Sequence, residues 1–496
     1  MGSMKWTEDQ QRVIDARDSN ILVSAAAGSG KTAVLVERII QEVTDAEHPI
    51  DIDRLLVVTF TNAAAGEMRQ RVGKALEEAL VEHPGDKRLQ KQLSLLHNAQ
   101  ITTIDSFCQS IIRNYFHVID LDPVFRVADD TEIKLMKQEV LDEVLEECYQ
   151  RAEAEPETEE NRNFIAMIDA FSTGRDDSAA GNLVLDVHNM SQSAPWPEDW
   201  LNGIVDIYEK KTTDWITELQ GYVADMLEGY LAQARRTLEI CRQDGPEEYE
   251  PAIQSDVEQL EQCAAASDYE DCAKYICGFQ KKKLASSKAE NKKIIQDMRK
   301  TYIDKGIRKL EEKYFREELQ GPYEQMAPAV KGLVQTTKLF EEAFSVRKRE
   351  DGVLDFNDME HFALQILVDH EQGDVPSAVA KELQEYYQEI MIDEYQDSSY
   401  IQEALLSSLS RAEQGQRPYL FMVGDVKQSI YRFRQARPEL FNGKYEAYGS
   451  DPEMGQRIDL HQNFRSREMV LESTNFLFEK IMQKCLGGIV YDEAAS

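Results

Sequence analysis

Residues 20–32 read Asn20-Ile-Leu-Val-Ser-Ala-Ala-Ala-Gly28-Ser-Gly30-Lys31-Thr32. An apolar run precedes the two glycines, and a helical pattern of apolar residues follows Thr32. Gly28 and Gly30 allow the backbone to approach phosphate groups, while the start of the following helix offers N–H groups and positive potential. The stretch therefore predicts a strand, a phosphate-binding loop and a helix, which together form a unit of a parallel α/β sheet.

The loop supplies a nucleotide-binding site. Lys31 can reach the β- and γ-phosphates of a nucleoside triphosphate, and Thr32 can ligate a magnesium ion. ATP and Mg²⁺ are therefore the expected cofactors. The loop residues expected to bind the nucleotide are Ala25, Ala26, Ala27, Gly28, Ser29, Gly30, Lys31 and Thr32.

A second stretch, Ile390-Met-Ile-Asp393-Glu394-Tyr-Gln-Asp-Ser398, ends an apolar run on adjacent carboxylates. We expect Asp393 to hold magnesium through the water shell of the ion, and Glu394 to orient and deprotonate the attacking water. Either carboxylate alone could instead cap a helix or lie on the surface. Two carboxylates directly after a strand-like run favour a catalytic pair that acts together with Lys31.

Short apolar runs mark both ends of the chain. They occur at 20–25 and 55–60, and again at 389–393 and 419–425. The segment from 125 to 349 instead has long charged and amphipathic stretches, which predict a helical insertion. We therefore predict an α/β fold in which both ends of the chain build one parallel sheet around an inserted helical domain.

Further segments resemble, in content and order, the motifs of UvrD-like superfamily 1 DNA helicases. They are Thr7-Glu-Asp-Gln10, Val57-Val-Thr59-Phe60-Thr61-Asn62, Thr102-Thr103-Ile-Asp105-Ser106, Val423-Gly-Asp425-Val-Lys-Gln428-Ser-Ile-Tyr431-Arg-Phe433-Arg434 and Leu460-His-Gln-Asn463-Phe464-Arg465. Ala25, in place of the first Gly of the general phosphate-loop pattern, is also typical of this family. The resemblance runs from about Lys5 to the last residue, with its motifs at the two ends.

The resemblance implies further contacts to the nucleotide. By the pattern of the family, Gln10 reads the adenine and Phe464 stacks on it. Gln428 senses the γ-phosphate, and Arg465 reaches it as an arginine finger, a group that neutralises charge in the transition state. Gln428 and Arg465 are thus expected to join the catalytic residues.

The resemblance also implies a path for single-stranded DNA. The residues expected to line it are Thr59, Phe60, Asn62, Thr103, Ser106, Tyr431, Phe433 and Arg434. Phe433 stands where simpler relatives carry Trp, and its ring would stack on a base of any sequence. Asp105 stands where many relatives carry His, so that contact departs from the pattern of the family.

Several strings resemble the AddA and RecB types of helicase-nuclease subunit more than UvrD itself, and the ending of the chain resembles the AddA type. They are the Gly-Asp-Val-Lys-Gln string from Gly424, Leu354-Asp-Phe-Asn-Asp358, Ala436-Arg-Pro-Glu-Leu-Phe441 and the ending from Gly487. This resemblance implies 3'-to-5' translocation on DNA ends in double-strand-break repair and recombination. It also implies an AddB-like partner in a heterodimer, a C-terminal exonuclease domain beyond this chain and a location in the bacterial cytoplasm.

The same resemblance implies a domain layout. We expect a first RecA-like ATP-binding domain at 4–124 and 350–455 and an inserted helical domain at 125–349. Residues 456–496 are expected to start a second, truncated RecA-like domain, which makes the chain an N-terminal fragment. Because that second domain closes the nucleotide cleft, one alternative is a module that binds nucleotide and DNA without turnover. Another alternative is a defence-system helicase with the same core.

The formal net charge of −35 is unusual for a protein that binds DNA, because phosphate attraction normally needs a basic surface. The charge is unevenly distributed. Residues 281–313 hold twelve Lys or Arg against five Asp or Glu, whereas residues 241–272 hold one Arg against ten acidic residues. Part of the basic stretch is a candidate for phosphate contacts, although a solvated helix face would give the same pattern.

The seven cysteines contain no C-x-x-C pair, which argues against a zinc ribbon, a redox motif and a disulfide framework. Cys263, Cys272 and Cys277 could form part of a metal site, but they lack a completing ligand pattern, so we interpret them as packing residues. The apolar runs are far shorter than a membrane span of about 20 residues, and no membrane association is expected.

Overall fold

The computed structural model describes residues 5–172, 176–209, 213–315, 320–482 and 491. Within these residues the chain divides into two compact units. The sheet unit comprises Met1–Asp142, His188–Pro197 and Glu341–Ser496, and the helical unit comprises Glu143–Val187 and Glu198–Phe340. The chain leaves the sheet unit after Asp142 and again after Pro197, and it returns to that unit at His188 and at Glu341.

The strands are short and lie in the sheet unit. They are β1 (Ile21–Ala25), β2 (Leu55–Thr59), β3 (Gln100–Thr103), β4 (Arg126–Val127), β5 (Val353–Leu354), β6 (Val368–Asp369), β7 (Val375–Pro376), β8 (Glu389–Ile392), β9 (Tyr419–Gly424) and β10 (Gln456–Leu460).

Helices occupy most of the rest of the described chain. They are α1 (Glu8–Asp15), α2 (Lys31–Thr44), α3 (Asn62–Glu82), α4 (Lys87–Leu95), α5 (Ile104–Tyr115), α6 (Asp130–Ala154), α7 (Glu159–Phe171), α8 (Ser178–Ser191), α9 (Pro197–Glu209), α10 (Thr213–Asp244), α11 (Glu250–Ala264), α12 (Tyr269–Cys277), α13 (Lys292–Tyr302), α14 (Arg308–Leu310), α15 (Gln320–Glu350), α16 (Phe356–Leu367), α17 (Ala378–Tyr386), α18 (Tyr400–Ser408), α19 (Pro438–Ser450) and α20 (Glu468–Ile481). Two π-helical turns, Ile303–Ile307 and Glu311–Phe315, flank α14.

Six strands of the described residues form one sheet in the order β10-β1-β9-β8-β2-β3, and each neighbouring pair is parallel. Three strands come from the first 103 residues and three from residues 389–460. The expectation of an α/β chain with a parallel sheet built from both ends is confirmed. Because the strands are parallel, all six carboxyl ends lie at one edge of the sheet.

The sheet is buried on both faces, as parallel sheets require. Alternate residues of its strands enter two hydrophobic clusters, one containing Leu22 and Ile390 and the other containing Ile21 and Met391. Several of the helices that pack near the sheet, among them α3, α5, α16 and α18, begin with side-chain caps. Thr103, for example, accepts a hydrogen bond from Ser106 N at the start of α5. The buried sheet fixes where each strand delivers its carboxyl end.

The edge strand β10 extends the sheet past residue 455, where the sequence predicted the first domain to end. Ile21 pairs with Gln456 and Ala25 pairs with Leu460. The reason is burial, since Ile458 and Leu460 pack into one of the two clusters of the sheet. The remaining domain boundaries stay predictions.

The helical unit has its own core, built around α10, α11 and α13. Cys263 and Cys272 lie in this core, and burial raises the pKa of their thiols to about 12 and about 11. Both are packing residues, as interpreted from the sequence. Cys277 differs, because its side chain is exposed.

Candidate functional site

The residues predicted to carry function gather at the carboxyl edge of the sheet. The segments that leave this edge are 26–30 after β1, 60–62 after β2, 393–397 after β8, 425–434 after β9 and 461–466 after β10, with the start of α5 after β3. Open α/β sheets bind their ligands at this edge, where strand ends and helix starts leave polar groups unpaired. The fold therefore assembles one candidate site from segments up to about 440 residues apart in the sequence.

The phosphate-binding loop adopts a backbone that only glycine tolerates easily. Gly28 has φ +76° and Gly30 has φ +87°, and Gly30 is the residue that caps α2. A Cβ atom on Gly28 would lie 2.8 Å from Asn463 Oδ1. The hydroxyl of Ser29 is buried and has no hydrogen-bond partner. A buried hydroxyl without a partner in this loop is what a phosphate ligand would satisfy.

The side chain of Gln10 is hydrogen-bonded to this loop. Its Nε2 donates to the carbonyl of Ser29 at 2.9 Å, and its Oε1 accepts from the backbone N–H of Thr7 at 3.1 Å. Gln10 also closes the capping box of α1 and is 6% exposed. One N–H and one lone pair of the amide remain, so the predicted adenine contact is restricted to those atoms.

The segment after β10 lies directly on the loop. Phe464 N donates to Gly28 O at 2.9 Å, and Asn463 Nδ2 donates to Ala27 O at 2.6 Å. Asn463 Oδ1 accepts from the backbone N–H groups of Arg465 and Ser466, at 2.9 and 2.8 Å. The two residues predicted to contact the nucleotide, Phe464 and Arg465, are therefore beside the loop with exposed side chains.

The phosphate-loop lysine contacts the predicted general base. Lys31 Nζ lies 3.0 Å from Glu394 Oε2. Glu394 has φ +55° and ψ +43°, a left-handed conformation that is strained for a residue with a side chain. This sharp turn directly after β8 aims the carboxylate at β1 and the loop instead of continuing the strand direction.

Two carboxyl groups beside Glu394 have raised pKa values. Burial, and then the neighbouring Glu394 carboxylate, raise the pKa of Asp393 and of Asp397 to about 6, while Lys31 opposes both shifts. Asp397 is 8% exposed, and its Oδ1 has no hydrogen-bond partner. When burial and a neighbouring carboxylate raise the pKa of a carboxyl group, a nearby cation stabilises its charged form.

This donor set fits magnesium better than a metal held entirely by protein. Among the residues that the structure describes, no group of three or more His, Cys, Asp or Glu side chains is placed to hold a metal ion. Magnesium keeps several waters and usually binds one or two carboxylates together with substrate phosphates. The predicted pair of Asp393 and Thr32 is consistent with such a partial set of ligands.

Gln428 lies in the turn after β9. Its Nε2 donates to Asp425 Oδ2 at 2.7 Å, and Lys427 N donates to Asp425 Oδ1 at 3.1 Å. The buried Asp425 thus fixes the turn that carries Gln428. The backbone N–H of Asp425 donates to Oε1 of Gln396, a residue that the sequence motifs did not single out.

Three aromatic rings form what we call the aromatic strip, made of Phe60, Tyr431 and Phe433. The ring centroids of Phe60 and Tyr431 are 4.5 Å apart, and those of Tyr431 and Phe433 are 5.9 Å apart. Phe433 is 74% exposed, so it lies on the surface and is not a core residue. The side chain of Arg434 lies outside the described part of the chain.

The polar residues of the predicted DNA path divide into two kinds. Thr59 and Thr103 are buried, and their hydroxyls bond to Thr61 O and Ser106 Oγ. Asn62 and Ser106 are exposed at the starts of α3 and α5. The two threonines shape the turns, and Asn62 and Ser106 present their side chains to solvent.

Asp105 belongs to a cluster that sequence reasoning missed. Burial raises its pKa, and the neighbouring Glu360 has its pKa raised to about 7 by burial and by Asp105. Gln402 donates to Glu360 Oε1 at 2.7 Å and lowers that pKa in part. Asp105 therefore lies near a second acid whose pKa is also raised.

The basic stretch of the helical unit is less basic on its surface than its sequence indicates. Arg299 is 2% exposed and pairs with Asp256 at 2.6 Å, while Lys281 pairs with Asp304. Lys292 and Lys293 are exposed at the start of α13. They are the stronger candidates for contacts to phosphate.

In the described part of the chain, every helix is too short or too polar to cross a membrane.

Comparison with known proteins agrees with the motifs. Residues 6–449 match the sequence profile of the family described as UvrD/REP helicase N-terminal domain. The chain is 44% identical over 517 aligned positions to the AddA subunit of the ATP-dependent helicase/nuclease from Lachnoclostridium phytofermentans, covering all of this chain and 37% of that protein. Proteins with the same name from Clostridium beijerinckii and Thermoanaerobacter sp. are 40% and 42% identical, and the chain covers 41% and 40% of their lengths.

Proposed function

The chain belongs to the UvrD/REP helicase N-terminal domain family, and on that premise we propose that it binds ATP with Mg²⁺ at the carboxyl edge of its sheet and couples ATP hydrolysis to movement on single-stranded DNA. The contact between Lys31 and Glu394 carries this proposal, because it joins the phosphate loop to the candidate base across the sheet. The order of the strands around them supports a RecA-like domain, with the helical unit as its insertion.

In this proposal the loop residues 25–32 hold the phosphates, and Gln10 and Phe464 hold the adenine. Phosphate oxygens draw Lys31 away from Glu394, which frees the carboxylate. Glu394 then accepts a proton from water as the water oxygen attacks the γ-phosphorus and the bond to ADP breaks. Gln428 and Arg465 stabilise charge on the transferred group.

Magnesium, when bound, neutralises charge on the phosphate oxygens and orients them. Thr32 and Asp393 are the residues that would hold it. The raised pKa of Asp393 supports this role, because a cation replaces the proton that the buried carboxyl otherwise favours.

The aromatic strip, with Asn62 and Ser106, is the proposed surface for single-stranded DNA. Stacking of bases on exposed aromatic rings does not depend on sequence, which suits a translocating enzyme. Within the helical unit, the exposed Lys292 and Lys293 are proposed as separate phosphate contacts, because binding depends on local charge and not on the net charge of −35.

The chain spans about 40% of the length of the curated relatives that it matches. For the whole protein we propose an ATP-dependent helicase and nuclease that acts on DNA ends in double-strand-break repair, moves 3'-to-5' and pairs with an AddB-like partner. The names of the relatives support the helicase and nuclease activities. The motif resemblance alone supports the action on DNA ends, the direction and the AddB-like partner.

The test is nucleotide binding by this chain and its dependence on Lys31. We expect Lys31→Ala to weaken binding of labelled ATP with Mg²⁺ at least tenfold, because the loop loses its phosphate-directed charge. Lys74→Ala is the control, since Lys74 is exposed on α3 and pairs only weakly with Glu78. Equal binding by wild type and Lys31→Ala would contradict the proposed site.

A further inference from the structure

Gln396 is almost completely buried in the turn that follows β8. It is 1% exposed and lies between the candidate base Glu394 and the end of β9. A buried amide of this size must satisfy both of its ends, since an unpaired polar group in the interior costs about 1 to 3 kcal/mol. The partners that it finds define its role.

The two ends of the Gln396 amide bind two different segments of the site. Nε2 donates to Glu394 Oε2 at 2.8 Å and lies 3.4 Å from Asp397 Oδ2. Oε1 accepts from the backbone N–H of Asp425 at 2.9 Å. The reverse orientation of the amide would place its oxygen against two carboxylates, so these contacts are compatible with one orientation only.

Gly424, the last residue of β9, keeps space for this amide. A Cβ atom at that position would overlap Gln396 Oε1 and would also lie 3.0 Å from the ring of Phe441. Ser429 Oγ, farther along the same turn, lies 3.4 Å from the carbonyl oxygen of Gln396. The segment after β9 therefore contacts both the side chain and the backbone carbonyl of Gln396.

Beyond Asp425 the contacts continue to the DNA-facing surface. Asp425 binds the side chain of Gln428, and the same turn carries Tyr431, whose ring contacts Phe60. The Glu394 oxygen bound by Gln396 is also the oxygen that contacts Lys31. One side chain thus connects the phosphate loop and candidate base with the segment that carries the aromatic strip.

We propose that Gln396 is a positioning residue that couples the nucleotide site to the aromatic strip and so sets how strongly bound nucleotide changes the affinity for single-stranded DNA. The inference rests on the proposed function and extends it to a residue outside the phosphate loop. When phosphates displace Lys31 from Glu394, Gln396 transmits the new position of that carboxylate to Asp425. By thermodynamic linkage, DNA must change the affinity for nucleotide by the same factor.

The experiment measures that factor in this chain. The affinity for a fluorescent oligothymidylate of about 20 nucleotides is measured with and without saturating AMP-PNP and Mg²⁺. The affinity for AMP-PNP is measured with and without the same oligonucleotide. We expect the wild-type coupling factor to lie in the usual range of roughly 5 to 150. Gln396→Met keeps most of the side-chain volume but removes both hydrogen bonds, and it should bring the factor within about twofold of 1.

The affinities for each ligand alone distinguish coupling from a general structural defect. Both should stay within about threefold of wild type in Gln396→Met. Gln384→Met is the matched control, because Gln384 is another buried glutamine that binds backbone carbonyls of Ser408 and Ser410 away from the site. The coupling factor of this control should be unchanged. If Gln396→Met does not fold, Gln396→Glu decides, since it keeps the acceptor for Asp425 N but loses the donor to Glu394.

The outcomes separate the two proposals. If wild type binds neither ligand, the proposed function fails. If it binds both without coupling, or if either Gln396 variant keeps the wild-type factor, the role of Gln396 is overturned while the two binding sites stand.

Discussion

Nζ of Lys31 and Oε2 of Glu394 lie 3.0 Å apart, although 363 residues separate them in the sequence. The contact brings the phosphate-loop cation to the acid that follows β8, and it partly neutralises both groups. A lysine that is 12% exposed at its side chain needs such a partner. In our account ATP replaces that partner, and the freed carboxylate becomes the base.

The exposed ring at the end of the aromatic strip should contribute to DNA binding by stacking. Phe433→Ala is expected to weaken single-strand affinity by about 1 to 3 kcal/mol with an unchanged salt slope, because no charge is removed. Fluorescence anisotropy with oligothymidylate at several salt concentrations measures both quantities. Phe356→Ala, at another exposed phenylalanine, is the control. Equal losses in both variants would argue against a specific stacking site.

The exposed lysines at the start of α13 should contribute through charge. Reversal of Lys292 and Lys293 to Glu is expected to flatten the slope of log affinity against log salt by about 1.4, since each phosphate contact on a single strand adds about 0.7. The same reversal at Lys87 and Lys381, exposed on the sheet unit, is the control. A wild-type slope in the α13 variant would show that these lysines do not contact DNA.

Glu360 should make stability depend on pH. Its pKa is raised to about 7 in the folded chain from an ordinary value near 4.5, so the folded state binds the proton more tightly. Its contribution to stability is therefore complete below about pH 4.5 and is lost as pH rises through 7, by on the order of 3 kcal/mol. Glu360→Gln should remove this loss.

Urea unfolding at pH 5 and pH 8 checks the titration of Glu360. The gain in stability of the variant relative to wild type should grow from pH 5 to pH 8, because the loss in wild type accumulates between about pH 4.5 and pH 7. A difference between variant and wild type that is the same at both pH values would show that Glu360 does not titrate in this range.

The sequence predicted the parts of the fold and site that depend on local pattern. The strand, loop and helix around Gly28 follow from glycine conformation and helix periodicity, and the acidic turn at Asp393 follows from its place after an apolar run. The matching family profile and the relatives confirm the recognition of the helicase family. The roles of the individual site residues remain predictions.

The sequence could not predict contacts that join distant segments. Asn463 is bound to Ala27 across 436 residues, and neither residue type signals such a pairing. Gln396 looks like an ordinary polar residue until the sheet places Asp425 against it. The burial of Thr59 could not be predicted either, because it depends on how the sheet packs and not on the local motif.

We propose that Glu394 activates water at a site that binds ATP independently of it. Glu394→Gln keeps the size and shape of the side chain while removing the base, and Glu77→Gln on the exposed face of α3 is the control. The decisive measurement is ATP turnover with single-stranded DNA, beside ATP affinity, in the protein that contains this chain at full length. We predict near-normal affinity and turnover reduced by roughly 100-fold or more. Turnover equal to that of wild type would contradict the account.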